Sequence, residues 1–308
     1  MKKFWCLFFI FWPLVAALSF IVAPVRGWWF PGPAASPLGS QIDDLFYLIL
    51  VIVSVTFVLV MAAMGYAVWR ASHNTEKSNF THGSHSLEVI WTIVPAGILL
   101  FIALYQLDVW AQYRVKGRFP KGVLTAPIAE VTARQFEWRM RYPAPDRKFA
   151  NEADVQKWLR QPEPGDLHSV NDLHVPTGTP VLIYLRTQDV QHSFFVPMLR
   201  VKQDAVPGLV IPVWFEAINE AKNVNPQLQG VVHEWVCAEL CGWGHYKMKA
   251  RVVSQPAPVF RKYLADLQRE ELDDGAKGAA PVAVVPGRDA DLSVAGKQSV
   301  GGQPAVNE

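Results

Sequence analysis

Uncharged apolar runs dominate the first third of the chain, and shorter β-rich segments, some of them alternating, follow. Residues 45–69 (LFYLILVIVSVTFVLVMAAMGYAVW) and 89–107 (VIWTIVPAGILLFIALYQL) carry no charged side chain. At about 1.5 Å of rise per residue, each is long enough as a helix to cross a hydrocarbon layer of about 30 Å. Pro95 falls inside the second run, a position that membrane helices tolerate. The polar segment 70–87 joins the two, so residues 31–110 are predicted to form a transmembrane helical hairpin. An earlier run, FWCLFFIFWPLVAALSFIVA, follows Met1-Lys2-Lys3. Residues 1–30 therefore read as a signal peptide or as an additional span. Lys2, Lys3, Arg70 and Lys77 belong on the cytoplasmic side by the positive-inside rule. The chain from about residue 110 then lies outside the cytoplasm, in a bacterial-type cytoplasmic (inner) membrane arrangement.

After residue 120 the pattern changes. Segments 131–140, 180–187, 192–197, 209–217 and 249–254 are rich in β-branched and aromatic residues and bounded by Gly, Pro, Asn or Asp. Short strands with turn signals predict an all-β sandwich or barrel over residues 115–260. Residues 143–172 read as an inserted polar loop with one helical turn around ADVQKWLR. Residues 265–308 read as a disordered tail rich in Ala, Gly, Pro and Val.

Composition agrees with a membrane protein. Of 308 residues, 51% are hydrophobic, with mean hydropathy +0.13. A net charge of +2 leaves no electrostatic footprint for nucleic acid. Three cysteines cannot build a disulfide framework. No Cys-x-x-Cys-His motif occurs, so no haem is attached covalently to this chain.

Candidate chemistry concentrates in CAELCGWGHYKM, residues 237–248. Cys237, Cys241, His245 and Met248 would share one face of a helix, but its ends would be about 16 Å apart. Metal–ligand bonds of about 2.0–2.3 Å cannot converge across that length. Gly242 and Gly244 favour a folded-back loop between strands instead. A disulfide between Cys237 and Cys241 would leave His245 and Met248 without a role. Thiolate, imidazole and thioether together are a soft donor set suited to copper in electron-transfer sites, whereas zinc rarely takes a thioether.

Four stretches in order resemble subunit II of cytochrome c oxidase. They are LEVIWTIVPAGILLF (87–101), ARQFEWRMRYP (133–143), DVQHSFFVPMLRVKQDAVPG (189–208) and the Cys/His/Met loop. The resemblance covers about residues 35–255. It implies a membrane α-helical hairpin followed by a cupredoxin-like β domain with a dinuclear copper centre, copper A. By position it implies that Cys237 and Cys241 bridge the two coppers and that His192 and His245 bind one each. Met248 is then a weak ligand, and the backbone carbonyl of Glu239 completes the set. The Glu239 carboxylate is implied to reach a magnesium ion shared with subunit I, a hard cation suited to oxygen ligands. Phe136 stands where the family usually has a tryptophan that receives electrons, with Trp138 two residues on. Glu88 stands where the family has a glutamate at the mouth of a proton path into subunit I. The implied activity is electron uptake from a c-type cytochrome for haem in subunit I. Oxygen reduction to water and proton pumping are implied to occur there, with subunit III as a further partner and lipid around the helices.

Three other readings remain. A quinol oxidase subunit II shares the fold but lacks the copper ligands, which are present here. A copper A subunit of a membrane nitric oxide reductase would differ mainly in its partner. A membrane-anchored copper carrier would expose fewer ligands and hold one labile ion. Outside the loop, His73, His82, His85, His168 and His174 read as solvated, and His233 as an exposed strand residue. Asp189 and Asp204 read as turn residues or as part of an acidic docking surface.

Overall fold

The computed structural model describes residues 2–30, 32–73, 80, 82–218 and 224–276. Three helices lead the chain: α1 (Lys2–Val25), α2 (Pro37–His73) and α3 (His85–Arg114). Among the described residues, these three are long and apolar enough to cross a membrane. Helix α3 runs through Pro95 without a break, and none of its residues is buried within this chain. Helix α1 lies along α2, with Phe20 edge-on to Phe57 at 6.1 Å.

The sequence implies a span of 25 residues in α2, yet the helix has 37. Its first turns stand outside that span and meet the β domain. Buried Ser36 donates its hydroxyl to the Leu199 carbonyl at 2.8 Å. Asp43 forms an ion pair with Arg200 at 2.8 Å, and the Arg200 guanidinium also lies over the Phe30 ring. The far end of α3 docks on the same domain, where the Trp214 indole N–H donates to the Gln112 carbonyl at 2.8 Å. Both helices are therefore fastened to the β domain at one end of the hairpin.

The β domain is a sandwich of two mixed sheets. One has the order β3-β2-β1-β5-β8, from Leu167–Val170, Glu137–Tyr142, Ala129–Arg134, Pro180–Thr187 and Ile211–Glu216. The other has the order β4-β11-β10-β6-β7, from Asp172–Pro176, Lys249–Gln255, Gly230–Cys237, His192–Val196 and Val201–Ala205. A two-residue strand, β9 (Val224–Asn225), pairs with β10. Pairs β1/β5 and β4/β11 are parallel; the other pairs are antiparallel. Side chains from both sheets, including Val131, Trp138, Ile183, Phe194, Trp235 and Val252, close a single core between them.

Several local expectations need correction. Residues 131–140 are not one strand: the chain turns at Gln135 and Phe136, and β1 and β2 pair antiparallel. The 143–172 segment holds more structure than a helical turn. Helix α4 (Glu152–Arg160) is capped by Asn151, whose side chain accepts from the Asp154 N–H. Its apolar face of Val155, Trp158 and Leu159 packs with Leu182, Tyr184 and Trp214 in a second core. Beneath it, buried Arg141 pairs with Glu130 and Asp166. Charges at that depth persist because each is matched.

The first part of the segment read as a tail is helical instead. Residues 265–276 belong to helix α5 (Ala257–Ala276), and 277–308 lie outside the described residues. Phe260, Tyr263, Leu264 and Leu267 form its inward stripe. His174 is buried rather than solvated, with its ring 3.6 Å from that of Tyr263 and nearly parallel. His233 is buried too, because strand parity places residues 231, 233, 235 and 237 on the inner face of β10. His73, His82, His85 and His168 are exposed.

Candidate metal centre

Strands β10 and β11 form the antiparallel pair that carries the donor loop. Cys237 ends β10, Met248 immediately precedes β11, and the Cys237 N–H donates to the Met248 carbonyl at 3.1 Å. That bond closes the loop at its base. Strand β6 runs beside β10 and begins at His192, so a third chain segment reaches the same point. Gly242 has φ +125°, which favours glycine. Gly244 lies under the Phe136 ring, and a Cβ there would come within 2.5 Å of it.

The donor atoms converge. Cys237 Sγ and Cys241 Sγ are 3.9 Å apart and unbonded. A disulfide needs about 2.05 Å, whereas two metal–thiolate bonds of about 2.3 Å can span the gap. His192 Nδ1 lies 3.9 Å from Cys237 Sγ, and His245 Nδ1 lies 3.6 Å from Cys241 Sγ. Met248 Sδ is 3.7 Å from Cys241 Sγ, and the Glu239 carbonyl is 3.3 Å from Cys237 Sγ. The donor atoms of His192, Cys237 and Cys241 all lie within 4.8 Å of one another, and all three residues are buried. His245 is half-buried at the rim. The ring of soft donors fits copper, since each sulfur has its own imidazole and the thioether adds a weak position.

Electrostatics prepare the pair for a cation. Burial raises the Cys237 thiol, but hydrogen bonding with His192 and with the backbone at Glu239 and Ser193 outweighs it and pulls the thiol below its ordinary value. Burial and then the neighbouring Cys237 thiolate push Cys241 up. Two adjacent thiolates repel, and a bridging cation relieves that repulsion. Burial would lower His192, yet hydrogen bonding with Cys237 and Asp189 raises it.

The family signatures match here. The one described as "Cytochrome C oxidase subunit II, transmembrane domain" covers residues 27–109, and the one described as "Cytochrome C oxidase subunit II, periplasmic domain" covers 129–255. The chain belongs to the cytochrome c oxidase subunit II family. It is a membrane protein with a periplasmic β domain, as the orientation read from the sequence requires. Among its relatives is the alternative cytochrome c oxidase subunit 2 of Bradyrhizobium diazoefficiens, 28% identical over 82% of this chain and 88% of that protein. Cytochrome c oxidase subunit 2 of Cereibacter sphaeroides is 32% identical over 73% of this chain and 76% of that protein. A crystal structure of the periplasmic domain of cytochrome oxidase subunit II from Bradyrhizobium japonicum covers 49% of this chain and 97% of that one, at 20% identity and TM-score 0.37.

The other residues singled out from the subunit II resemblance fall in different places. Phe136 is half-buried against the donor loop, with its ring over Gly242 and Gly244. Trp138 is fully buried, its ring 6.0 Å from that of His192 and 4.4 Å from that of Trp235. It supports the His192 ring from within and cannot meet a partner. Glu88 sits exposed in the first turn of α3, the end remote from the β domain. From there to Arg114 is about 39 Å along the helix. Glu239 is half-buried.

Asp189 and Asp204 do not form a free acidic surface. Asp204 pairs with Lys202 at 2.9 Å. Asp189 accepts from the Gln135 and Val190 backbone N–H groups and contacts His192 Nε2 at 2.8 Å. Sequence reasoning missed that role, although a carboxylate three residues before a strand-initiating histidine is the signal for it. It also missed Gln135, whose amide N–H donates to the Cys241 carbonyl at 2.6 Å, and the exposed Trp243.

Proposed function

We propose that Cys237, Cys241, His192, His245, Met248 and the Glu239 carbonyl hold a dinuclear copper A centre, and that this chain receives single electrons from a c-type cytochrome for haem in subunit I. The observation that carries this reading is the 3.9 Å separation of two unbonded cysteine sulfurs, each with an imidazole beside it. When bound, copper would supply a one-electron couple shared between two ions.

The chain's own residues account for the rest. Asp189 contacts the Nε2 side of His192 and holds its ring so that Nδ1 faces Cys237. Buried Trp138 backs the same ring. The β10/β11 ladder fixes both ends of the loop before any ligand binds. A site that cannot rearrange changes little between oxidation states, which favours fast transfer. Phe136, packed on the loop, extends it toward the surface and takes part in electron uptake. The Glu239 carboxylate serves a magnesium ion shared with subunit I. Glu88 lies at the cytoplasmic mouth of a proton path into subunit I. Oxygen reduction and proton pumping belong to subunit I, with subunit III beside it. The relatives are named as oxidase subunits, which favours an oxidase over a nitric oxide reductase.

Metal content and spectroscopy of the purified full-length chain test the assignment. Two coppers per chain, a near-infrared band and a delocalised spin signal are expected, and Cys237→Ser should abolish the delocalisation. One labile copper would indicate a carrier, and an unchanged two-copper spectrum in the variant would overturn the ligand set.

A further inference from the structure

Exposed indoles mark the outer ends of two membrane helices: Trp28 and Trp29 just after α1, and Trp110 in the last turns of α3. Tryptophan is enriched at the level of lipid headgroups. The same stretches are rich in charge. Residues 26–44 and 108–121 carry Arg26, Arg114, Lys116, Arg118 and Lys121 against Asp43, Asp44 and Asp108. Asp43 is matched by Arg200, and Asp108 by Arg118. Arg114 bonds to the Gln203 amide oxygen and the Lys202 carbonyl, neither of which cancels its charge. Lys116 and Lys121 are exposed, and their side chains have no partner among the described residues. Asp44 is also exposed and unmatched among the described residues, so cations remain in excess. This excess lies on the outer side, where the positive-inside rule expects few cations. It therefore does not serve orientation.

The two lysines sit on a fixed loop. Lys116–Arg118 forms a single 3₁₀ turn directly after α3. Arg118 ties that turn back to Asp108, and buried Phe119 anchors it in the second core, its ring 6.2 Å from that of Trp214. A Cβ at Gly117 or at Gly122 would meet no atom within 4 Å, so the backbone beside each lysine is open to approach. Arg114 stands about 10 Å along the helix beyond Leu107, where the charge-free run ends. The headgroup layer is about 5–8 Å deep on each face of a bilayer. Lysine stems can reach back that far and leave the charged end among the headgroups.

We propose that Lys116 and Lys121 bind the phosphate groups of anionic phospholipid in the outer leaflet of the membrane, beside Trp110. Charge complementarity favours this occupant, since two cations without protein partners flank an open backbone at headgroup level. A bound lipid would neutralise the excess and pack its acyl chains along the exposed apolar surface of α3. The proposal does not depend on the copper assignment.

The test uses the full-length chain in vesicles of equal parts phosphatidylcholine and phosphatidylglycerol. A trace of either lipid carries a photoactivatable headgroup, and crosslinks are mapped by mass spectrometry. Labelling of residues 110–122 by phosphatidylglycerol should exceed that by phosphatidylcholine about fivefold or more, and the preference should shrink as salt is raised. The double variant Lys116→Gln/Lys121→Gln should bring the ratio near parity, and Lys116→Arg/Lys121→Arg should retain it. Thermal unfolding should be unchanged in both, because the lysines support nothing within the fold. Equal labelling of the wild-type chain by the two lipids would overturn the proposal, as would an undiminished preference in the glutamine variant. In the purified oxidase, reconstituted in the same way, the preference should persist. Its disappearance there, with oxidase subunits lost from the glutamine variant, would assign the lysines to a subunit contact and overturn the lipid site.

Discussion

Asp189 Oδ1 lies 2.8 Å from Nε2 of His192, the nitrogen that faces away from the cysteine pair. A carboxylate on the far nitrogen fixes the ring's orientation and makes the near nitrogen a better donor. Asp189→Asn keeps the shape and removes the charge. Copper affinity should fall about 10- to 100-fold, measured by competition with a chelator of known strength. Unaltered retention would mean that β6 and Trp138 alone orient His192.

Gly244 and Phe136 cannot both keep their places if a methyl group is added at 244. The new Cβ would come within 2.5 Å of the ring. Gly244→Ala should destabilise the β domain by about 1–3 kcal/mol, the usual cost of overpacking. Phe136→Ala in the same chain should recover much of that loss, because it empties the contested space. Denaturant unfolding of the two single variants and the double variant gives the coupling. Purely additive effects would place the strain elsewhere.

Burial holds His233 down to about 4, from an ordinary value near 6.5. The folded chain keeps this ring neutral while the unfolded chain takes up a proton below about 6.5. Its contribution is therefore intact above that pH and is lost as the pH falls toward 4. The loss amounts to at most about 3.5 kcal/mol, at about 1.4 kcal/mol per unit. His233→Gln should flatten the stability profile between pH 6.5 and 4.5 in thermal unfolding. An equally steep profile in the variant would assign the acid sensitivity to other groups.

Glu88→Gln separates an acidic residue that only suits a helix start from one that takes up protons. A helix-end role predicts normal turnover with slightly reduced stability. The proton role predicts slow oxygen consumption while reduction of the copper site by the cytochrome stays fast. Stopped-flow reduction beside steady-state respiration distinguishes them, and normal respiration in a well-assembled Glu88→Gln oxidase would remove the proton role.

The parts of this protein legible in its sequence were those written in short-range pattern. Charge-free runs gave the helices, and the Cys/His/Met spacing in a glycine-bearing segment gave a convergent loop. What was missed depended on pairing partners. His233 shares strand parity with Cys237, which becomes decisive only when residues 230–237 are known to be one strand. His174 is buried because a helix from the end of the chain brings Tyr263 over it. That helix had its own signal, apolar residues at 260, 263, 264 and 267, obscured by the Ala/Gly/Pro composition further on. Trp138 and Phe136, two residues apart, point to the same side of an ideal strand, but the turn at 135–136 separates a buried ring from a half-exposed one.

The fastening of α2 to the β domain through Ser36, Asp43 and Arg200 bears on more than stability. A domain on a loose tether would sample many heights above the bilayer, and an electron leaving it would meet its acceptor at a different range on each visit. Clamped at the outer ends of both α2 and α3, this domain holds the Cys237–Cys241 pair at one altitude. The membrane helices therefore act as a ruler as well as an anchor, setting the gap that the next transfer has to cross.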